Sequence, residues 1–371
     1  MSETRSETSE RATLAIDAMG GDAGPEPVVA GAARALKDGT ACQILLFGDE
    51  ALLTPLVAEH AVLSDVKIIH CESVVSMTDK PAQVLRRGRN TSMWAAISAV
   101  KEGSAQVVVS GGNTGALMAM SKLQLRMIKG IDRPAITAFW PTPRGKSVVL
   151  DVGANVEANA NQLVQFAIMG DAFFRAMSGK EKPTIGLLNV GAEELKGNDL
   201  IRNAAKILRE ADNELAFAGF VEGNDISNGT VDVVVTDGFS GNIALKSAEG
   251  AARLVGKWMK EALKGSLLSR LGTLLMIKEL RKLKGRIDPS TANGGVLLGL
   301  NGTVLKSHGG ADAKGVASAI TMAANLAAYP FQAEISDNLS RIQARTNRAD
   351  HASSPTNSSQ EAQNKNIKAV V

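Results

Sequence analysis

Six short segments hold most of the side chains able to bind or polarise a polar ligand. They are Asp17-Ala-Met-Gly-Gly-Asp22, Ser110-Gly-Gly-Asn-Thr-Gly115, Asp151-Val-Gly-Ala-Asn155, Asn189-Val-Gly191, Glu222-Gly-Asn224 and Asp237-Gly-Phe-Ser-Gly-Asn242. Each joins glycine, which admits tight turns and close backbone approach, to Asp, Asn or Ser, which cap helices and orient turns. A single such segment reads as an ordinary turn; six, each at the end of an apolar run, read as one ligand-facing surface. Gly111, Gly112, Asn113, Thr114 and Gly115 carry the clearest chemistry, because amides that leave a strand and open a helix converge on an anion with the helix dipole behind them. Neither the Gly-x-Gly-x-x-Gly spacing of dinucleotide folds nor the Lys-Ser or Lys-Thr of a P-loop accompanies them. Cys42 and Cys71 are the only cysteines, and no His-Glu-x-x-His cluster occurs, so neither a metal nor a cofactor is expected.

These segments need elements to carry them. Short β-branched runs recur along the chain: Leu14 to Asp17, Ile44 to Gly48, Val66 to His70, Val107 to Gly111, Val148 to Gly153, Ile185 to Gly191, Leu215 to Val221 and Val231 to Gly238. Several lack polar alternation, the mark of strands covered on both faces. Helical patterns follow at Pro25 to Lys37, Ser92 to Lys101, Asn113 to Met127, Glu157 to Met177, Asp199 to Arg209, Asn242 to Lys260 and Asp312 to Ala328. The expectation is a three-layer α/β/α fold on a mostly parallel, Rossmann-like sheet, with ligands beyond the carboxyl ends of the strands.

The 371 residues, with 44% apolar and 21% charged side chains, exclude a fibrous or wholly disordered chain. A net charge of +3 from 41 basic and 38 acidic residues is too even for a dedicated nucleic-acid binder. Residues 1–12 and 336–371 read as polar, disordered tails around a catalytic α/β domain over 13–332, either single or two-lobed with a boundary near Ser178 to Pro183. No apolar stretch approaches the roughly 20 residues of a membrane-spanning helix, and the reducing cytoplasm suits the cysteine usage.

The opening Ala15-Ile-Asp-Ala-Met-Gly-Gly-Asp-Ala-Gly-Pro25, with Leu187-Leu-Asn-Val-Gly191, Lys196-Gly197 and Asp237-Gly-Phe-Ser-Gly-Asn242, resembles the bacterial phosphate acyltransferase family from about Leu14 to Ala328. The resemblance implies a fold similar to the isocitrate dehydrogenase and phosphotransacetylase type. It implies transfer of a fatty acyl group from acyl carrier protein to inorganic phosphate, giving an acyl phosphate for phosphatidic acid and phospholipid synthesis. A homodimer, peripheral contact with the inner face of the membrane and a meeting with glycerol-3-phosphate acyltransferase are implied as well.

That reaction sorts the residues. Phosphate is itself the nucleophile, so no activated serine or cysteine is required; the protein supplies anion binding, orientation and a place for charge on the carbonyl oxygen. In this setting Lys196 places a cation against the phosphate. Asn242 and Lys246, four residues apart on one helical face, either bracket the reacting carbonyl or form a cap with an outward lysine. His308, before Gly309-Gly310, is the best placed of four histidines to protonate the departing sulfur. Asp17, Gly20, Gly21, Asp22, Asn155, Asn189, Asp237 and Gly238 are expected to bind substrate or orient its loops.

Between Arg253 and Arg286 ten Lys or Arg stand against Glu261 and Glu279, a local +8 that leaves the rest of the chain at −5. Residues 253–290 read as a basic amphipathic insertion of two short helices with a bend near Met276. Lys257, Trp258, Lys260, Lys264, Arg270, Leu271, Lys278 and Arg281 are its candidates for contact with acyl carrier protein, anionic lipid or a second subunit. Two other functions compete: a nucleotide-dependent oxidoreductase, weakened by the missing dinucleotide spacing, and a noncatalytic membrane-binding adaptor, which leaves the six glycine-rich segments unexplained.

Overall fold

The computed structural model describes residues 11–211, 215–280, 294–329 and 331–341. Its eleven strands are β1 (Ala12–Asp17), β2 (Cys42–Gly48), β3 (Lys67–His70), β4 (Val107–Ser110), β5 (Ala135–Thr142), β6 (Gly145–Leu150), β7 (Thr184–Leu188), β8 (Ala216–Val221), β9 (Val233–Val235), β10 (Gly295–Leu298) and β11 (Thr303–Lys306). They form one sheet in the order β3-β2-β1-β4-β11-β10-β5-β6-β9-β7-β8.

Seven neighbouring pairs are parallel and three antiparallel, all three involving β5 or β10. The mostly parallel expectation therefore holds, with one refinement that matters for the site. The block β3-β2-β1-β4-β11 and the block β6-β9-β7-β8 run in opposite senses. Register links Asp17 to Ser110, Ser110 to Lys306 and Leu305 to Val296. It also links Leu297 to Ile136, and Thr137 to Leu150. The carboxyl ends of the two blocks thus reach within one rung of each other, and their loops leave that rung in opposite directions.

Apolar strands are buried on both faces, as their lack of alternation requires: Val107, Val108 and Val109 on β4 and Val233, Val234 and Val235 on β9 all lie in the core. The helix Glu26–Lys37 packs on the helix Ala313–Ala327 so closely that a β-carbon at Gly31 would stand 2.5 Å from Val316 Cβ. On the same side, Ala160–Ser178 buries Phe166 and Phe173, and the Phe173 ring meets Phe331 edge-on at 6.0 Å.

Several elements depart from the sequence reading. Strands β5, β10 and β11 were not anticipated, although Asn301-Gly302 between two apolar runs is the signature of a hairpin. The helices Glu50–Ala58, Pro81–Arg87 and Gly223–Asn228 were also missed, the last of them occupying one expected ligand loop. Residues 331–341 form a helix where a disordered tail was expected from Ser336, because Phe331, Ile335 and Leu339 recur every four residues and are buried. At the other end β1 already begins at Ala12, inside the expected first tail.

The basic insertion is the continuation of a longer element. The helix Gly238–Lys264 starts at the sheet and runs outward, burying only Gly238 and Gly241. Gly265 interrupts it, Ser266 Oγ accepts from Ser269 N at 3.0 Å, and Leu267–Leu275 forms a second helix that ends at Met276, where the bend was expected. Among the described residues no helix is long and apolar enough to cross a membrane.

Candidate active site

The structure gathers the expected residues into two groups, one at each carboxyl edge. The first is built from the turns after β1, β4 and β11. Asp17, 2% exposed, is its anchor: the Ser92 and Ser110 hydroxyls each donate to it at 2.7 Å, and the Met19 and Gly20 amides also bond to it. Burial pushes its carboxyl above the usual range and these donors oppose the push. The turns touch through glycine. A β-carbon at Gly20 would stand 2.5 Å from Asp17 Oδ2 and 2.7 Å from Gly112 N, and one at Gly111 would stand 2.9 Å from Gly20 O. Asp22 N donates to Gly309 O at 2.8 Å, while β-carbons at Gly309 and Gly310 would meet the Asp22 carboxylate at 3.1–3.4 Å. Gly21, at φ +133°, needs the conformation that only glycine adopts readily.

Within the Gly111–Gly115 turn the hydrogen bonds are already apportioned. Gly112 N donates to Ser110 Oγ at 3.1 Å. The Asn113 side chain caps Ala116 N at 3.0 Å and donates to the carbonyls of Ser76, Met77 and Asp79, tying residues 76–79 to the helix start. Of the five residues expected to hold an anion, Gly112 and Asn113 spend these donors on the turn itself, whereas Thr114 and Gly115 open the helix Thr114–Leu125, whose first-turn amides have no intrahelical acceptor. His308 is exposed, and its Nδ1 accepts from Gly310 N at 3.1 Å; the neutral ring then carries its proton on Nε2. Beneath these turns lies Lys306, 9% exposed, a residue the sequence reading passed over because a lone lysine at the end of a short strand gives no signal. A small pocket here is lined by Asp17, Gly20, Gly21, Gly111, Ser307 and His308, among others.

The second group follows β6, β7 and β9. Asp151 is fully buried and accepts five hydrogen bonds, from the amides of Ile136, Gly153, Ala154 and Asn155 and from Asn155 Nδ2, at 2.7–3.1 Å. Asn155 spends its remaining donor on Pro134 O at 2.8 Å, so its side chain is a strut of this turn rather than a ligand-facing group. Burial raises the Asp151 carboxyl and the Ala154, Ile136 and Asn155 donors resist. The helix Gly238–Lys264 sits on this turn. Gly238 N donates to Asn155 O at 2.8 Å, and a β-carbon at Gly238 would stand 2.8 Å from Asp151 Oδ2.

Asp237 is the cap of that helix, accepting from Ser240 N at 2.8 Å and Ser240 Oγ at 3.0 Å. Asn242 is accordingly not a cap; it stands in the second turn, half-buried, with its Cβ and Cγ 3.6 Å from the place of a Gly153 β-carbon. Lys246, one turn on, is exposed. Asn189 bonds Lys196 O through Nδ2 at 3.2 Å, and Gly197, at φ +85°, closes the turn between them. Lys196 is exposed and pairs with Glu193 at 3.6 Å.

Six strand spacings, roughly 29 Å, lie between β4 and β7. The Gly111–Gly115 turn and Lys196 of one chain, both expected on the phosphate, are thereby divided. Lys306 and Asp151, at the carboxyl ends of the two blocks, are three spacings apart across the sheet, roughly 14 Å, with β10 and β5 between them and their turns leaving toward opposite edges.

Lys257, Trp258, Lys260, Lys264 and Lys278 are exposed on the outer arm, with Lys257 4.0 Å from Glu261. Arg281 and the side chains of Arg270 and Leu271 lie outside the described residues. Leu254, Val255, Trp258, Leu274, Leu275 and Met276 are exposed on the same arm. Among the described residues no cluster of His, Cys, Asp and Glu could hold a metal. Cys42 and Cys71 are buried thiols, and burial pushes Cys42 up to about 11.

Residues 12–333 match a family model described as "Fatty acid synthesis protein". The chain is 57% identical over 334 residues to a phosphate acyltransferase of Maricaulis maris, covering 89% of this chain and 95% of the relative. It is 54% identical over 337 residues to one of Caulobacter vibrioides, covering 91% and 94%. Among solved structures, a phosphotransacetylase from Streptococcus pyogenes superposes with a TM-score of 0.58 over 86% of this chain and 95% of the other, at 19% identity, a likeness of fold.

Proposed function

This chain belongs to the phosphate acyltransferase family, and from that premise we propose that it transfers a fatty acyl group from acyl carrier protein to inorganic phosphate by direct attack of phosphate on the thioester. The observation that carries the reading is the stack of glycine turns after β1, β4 and β11 at the start of the helix Thr114–Leu125: backbone amides and a helix dipole favour a small dianion there. Phosphate supplies the attacking oxygen. The carbon–sulfur bond breaks as an oxygen of hydrogen phosphate bonds the acyl carbon, and the departing thiolate takes the proton that the phosphate gives up on acylation, with His308 Nε2–H in the same group of turns assigned to hydrogen-bond the sulfur.

Asn242, on the other block, is assigned to the oxygen on which charge develops; because the two groups of turns leave the sheet in opposite directions with β10 and β5 between them, this assignment brings Asn242 to phosphate held by a second subunit. Asp17, Asp151, Asn155 and Asp237 act on loops rather than on substrate. Lys196, well removed from the phosphate turns, is assigned with Lys246 to the acyl donor, whose carrier is acidic. The basic arm with exposed Leu274, Leu275 and Met276 supports a second subunit and a peripheral membrane contact, from which acyl phosphate passes to the acyltransferase that consumes it.

The deciding experiment is phosphate-dependent release of carrier thiol from a fatty acyl carrier protein, with the acyl phosphate trapped by hydroxylamine. Release that needs no phosphate, or an acylated protein side chain that turns over competently, would refute direct transfer.

A further inference from the structure

Lys306 is the most deeply buried lysine among the described residues, and a buried ammonium is costly unless it is bonded and put to use. It ends β11, on the rung it shares with Ser110 and, through Ser110, with Asp17. Its Nζ donates to Gly111 O at 3.2 Å and to Ser307 O, so one ammonium joins the turn after β4 to the turn after β11. Because a trans peptide points its N–H away from its C=O, turning the Gly111 and Ser307 carbonyls toward Nζ turns the Gly112 and His308 amides the other way. The Gly112 amide is found on Ser110 Oγ at 3.1 Å. Both turns also face acidic groups of the turn after β1, the buried Asp17 and the exposed Asp22, whose charges are the two that favour the ammonium.

We propose that Lys306 is the positioning cation of the anion pocket: it fixes the Gly111 and Ser307 carbonyls so that the two turns form one cradle, and it offsets the Asp17 and Asp22 carboxylates that would otherwise repel a dianion. This rests on the reading that phosphate binds at the turns after β1, β4 and β11. Burial lowers the amine to about 8, with Asp17 and then Asp22 pulling the other way. The titratable groups that face it are those two carboxyls and His308; Cys71, which couples to Asp17 from beyond β3, is held neutral by burial. The ammonium is therefore present near pH 7 and is lost as pH rises through about 8.

The test measures phosphate kcat/KM and acyl-donor KM by thiol release, from pH 6.5 to 9.5, for the full chain and for Lys306→Met, with folding followed by circular dichroism. At pH 7 the variant is expected to lose about 30-fold in phosphate kcat/KM, the scale of one lost charged hydrogen-bonding group, with acyl-donor KM within about twofold. The unsubstituted protein should lose about tenfold per pH unit above 8, where phosphate stays a dianion, and the variant should lack this limb. Unchanged phosphate kcat/KM in the variant, or a limb that survives in it, overturns the role of Lys306 alone. Should the variant not fold, the profile of the unsubstituted protein decides: constant phosphate kcat/KM from pH 7.5 to 9.5 overturns the role. No phosphate-dependent release at any pH overturns the underlying reading and the role with it.

Discussion

Two glycines of one helix should respond to the same substitution in opposite ways. Gly241 and Gly250 both belong to the helix Gly238–Lys264, where alanine is intrinsically favoured over glycine by about 1 kcal/mol. At Gly250 an added β-carbon meets nothing within 4 Å, so Gly250→Ala should realise that gain. At Gly241 the β-carbon would overlap Asp151 O and lie 2.9 Å from Thr236 Cγ2 and 3.0 Å from Asp151 C. These atoms cannot yield easily: Asp151 N donates to Thr236 O at 3.0 Å, Thr236 N donates to Leu150 O at 2.7 Å, and the Asp151 carboxylate is held by five donors. The helix start must instead retreat by about 1 Å to restore van der Waals separation, at an overpacking cost of about 1–3 kcal/mol. Asn242 moves with it, and on the role proposed for Asn242 a displacement of that size should lower kcat about 100-fold. Calorimetric melting and thiol release on both variants check this. Gly241→Ala with unaltered melting and unaltered kcat would refute the close seat on Asp151; reduced melting with unaltered kcat would keep the seat and remove Asn242 from the chemistry.

Asp171 gives a pH prediction away from the site. It is buried on the helix Ala160–Ser178, its Oδ2 has no hydrogen-bond donor, and Arg175 stands 3.8 Å away while also reaching Glu334 at 3.7 Å. Burial pushes Asp171 up to about 7 from 3.8, with Arg175 opposing and Glu334 adding to the rise. The folded protein thus binds more protons than the unfolded chain between those values, and stability falls as pH rises through the window. Asp171→Asn should be more stabilising at pH 8 than at pH 5 by about 2–3 kcal/mol, two pH units at about 1.4 kcal/mol each; equal effects at both pH values in denaturant melts would contradict it. Lys196→Met should raise acyl-donor KM with phosphate KM unchanged, and steady-state kinetics showing the reverse would return Lys196 to the phosphate. Leu275→Glu, at a residue 83% exposed, should weaken co-sedimentation with anionic vesicles, and undiminished co-sedimentation would show that the arm does not use this face on lipid.

The layered α/β architecture and the turns at strand ends were legible because both are local. Valine runs such as 107–109 and 233–235 must be covered on both faces, and glycine beside Asp or Asn marks where a strand stops and a helix starts. The apolar face of residues 331–341 was legible in the same way but hidden by polar composition, and the Asn301-Gly302 hairpin was a signal left unread. The outer basic arm was found from charge alone, since segregated charge needs no partner to be seen.

What each polar residue does was beyond the reach of spacing. Asn113, Asn155 and Asp237 have the same residue types as ligand-binding positions, yet hydrogen bonds donated to carbonyls of distant segments, or accepted from the first turn of the following helix, commit them to shaping loops. Lys306 carries no local mark, and only burial beside Gly111 and Ser307 distinguishes it from a surface lysine. Sequence by itself determined the layered pattern of most strands and helices, the glycine-rich segments that follow the strands, and the kinship; strand order and sense, which depend on pairings across more than a hundred residues, decided which turns meet. Backbone propensity acts over a few residues, whereas hydrogen-bond satisfaction and burial are settled by whatever the fold brings alongside.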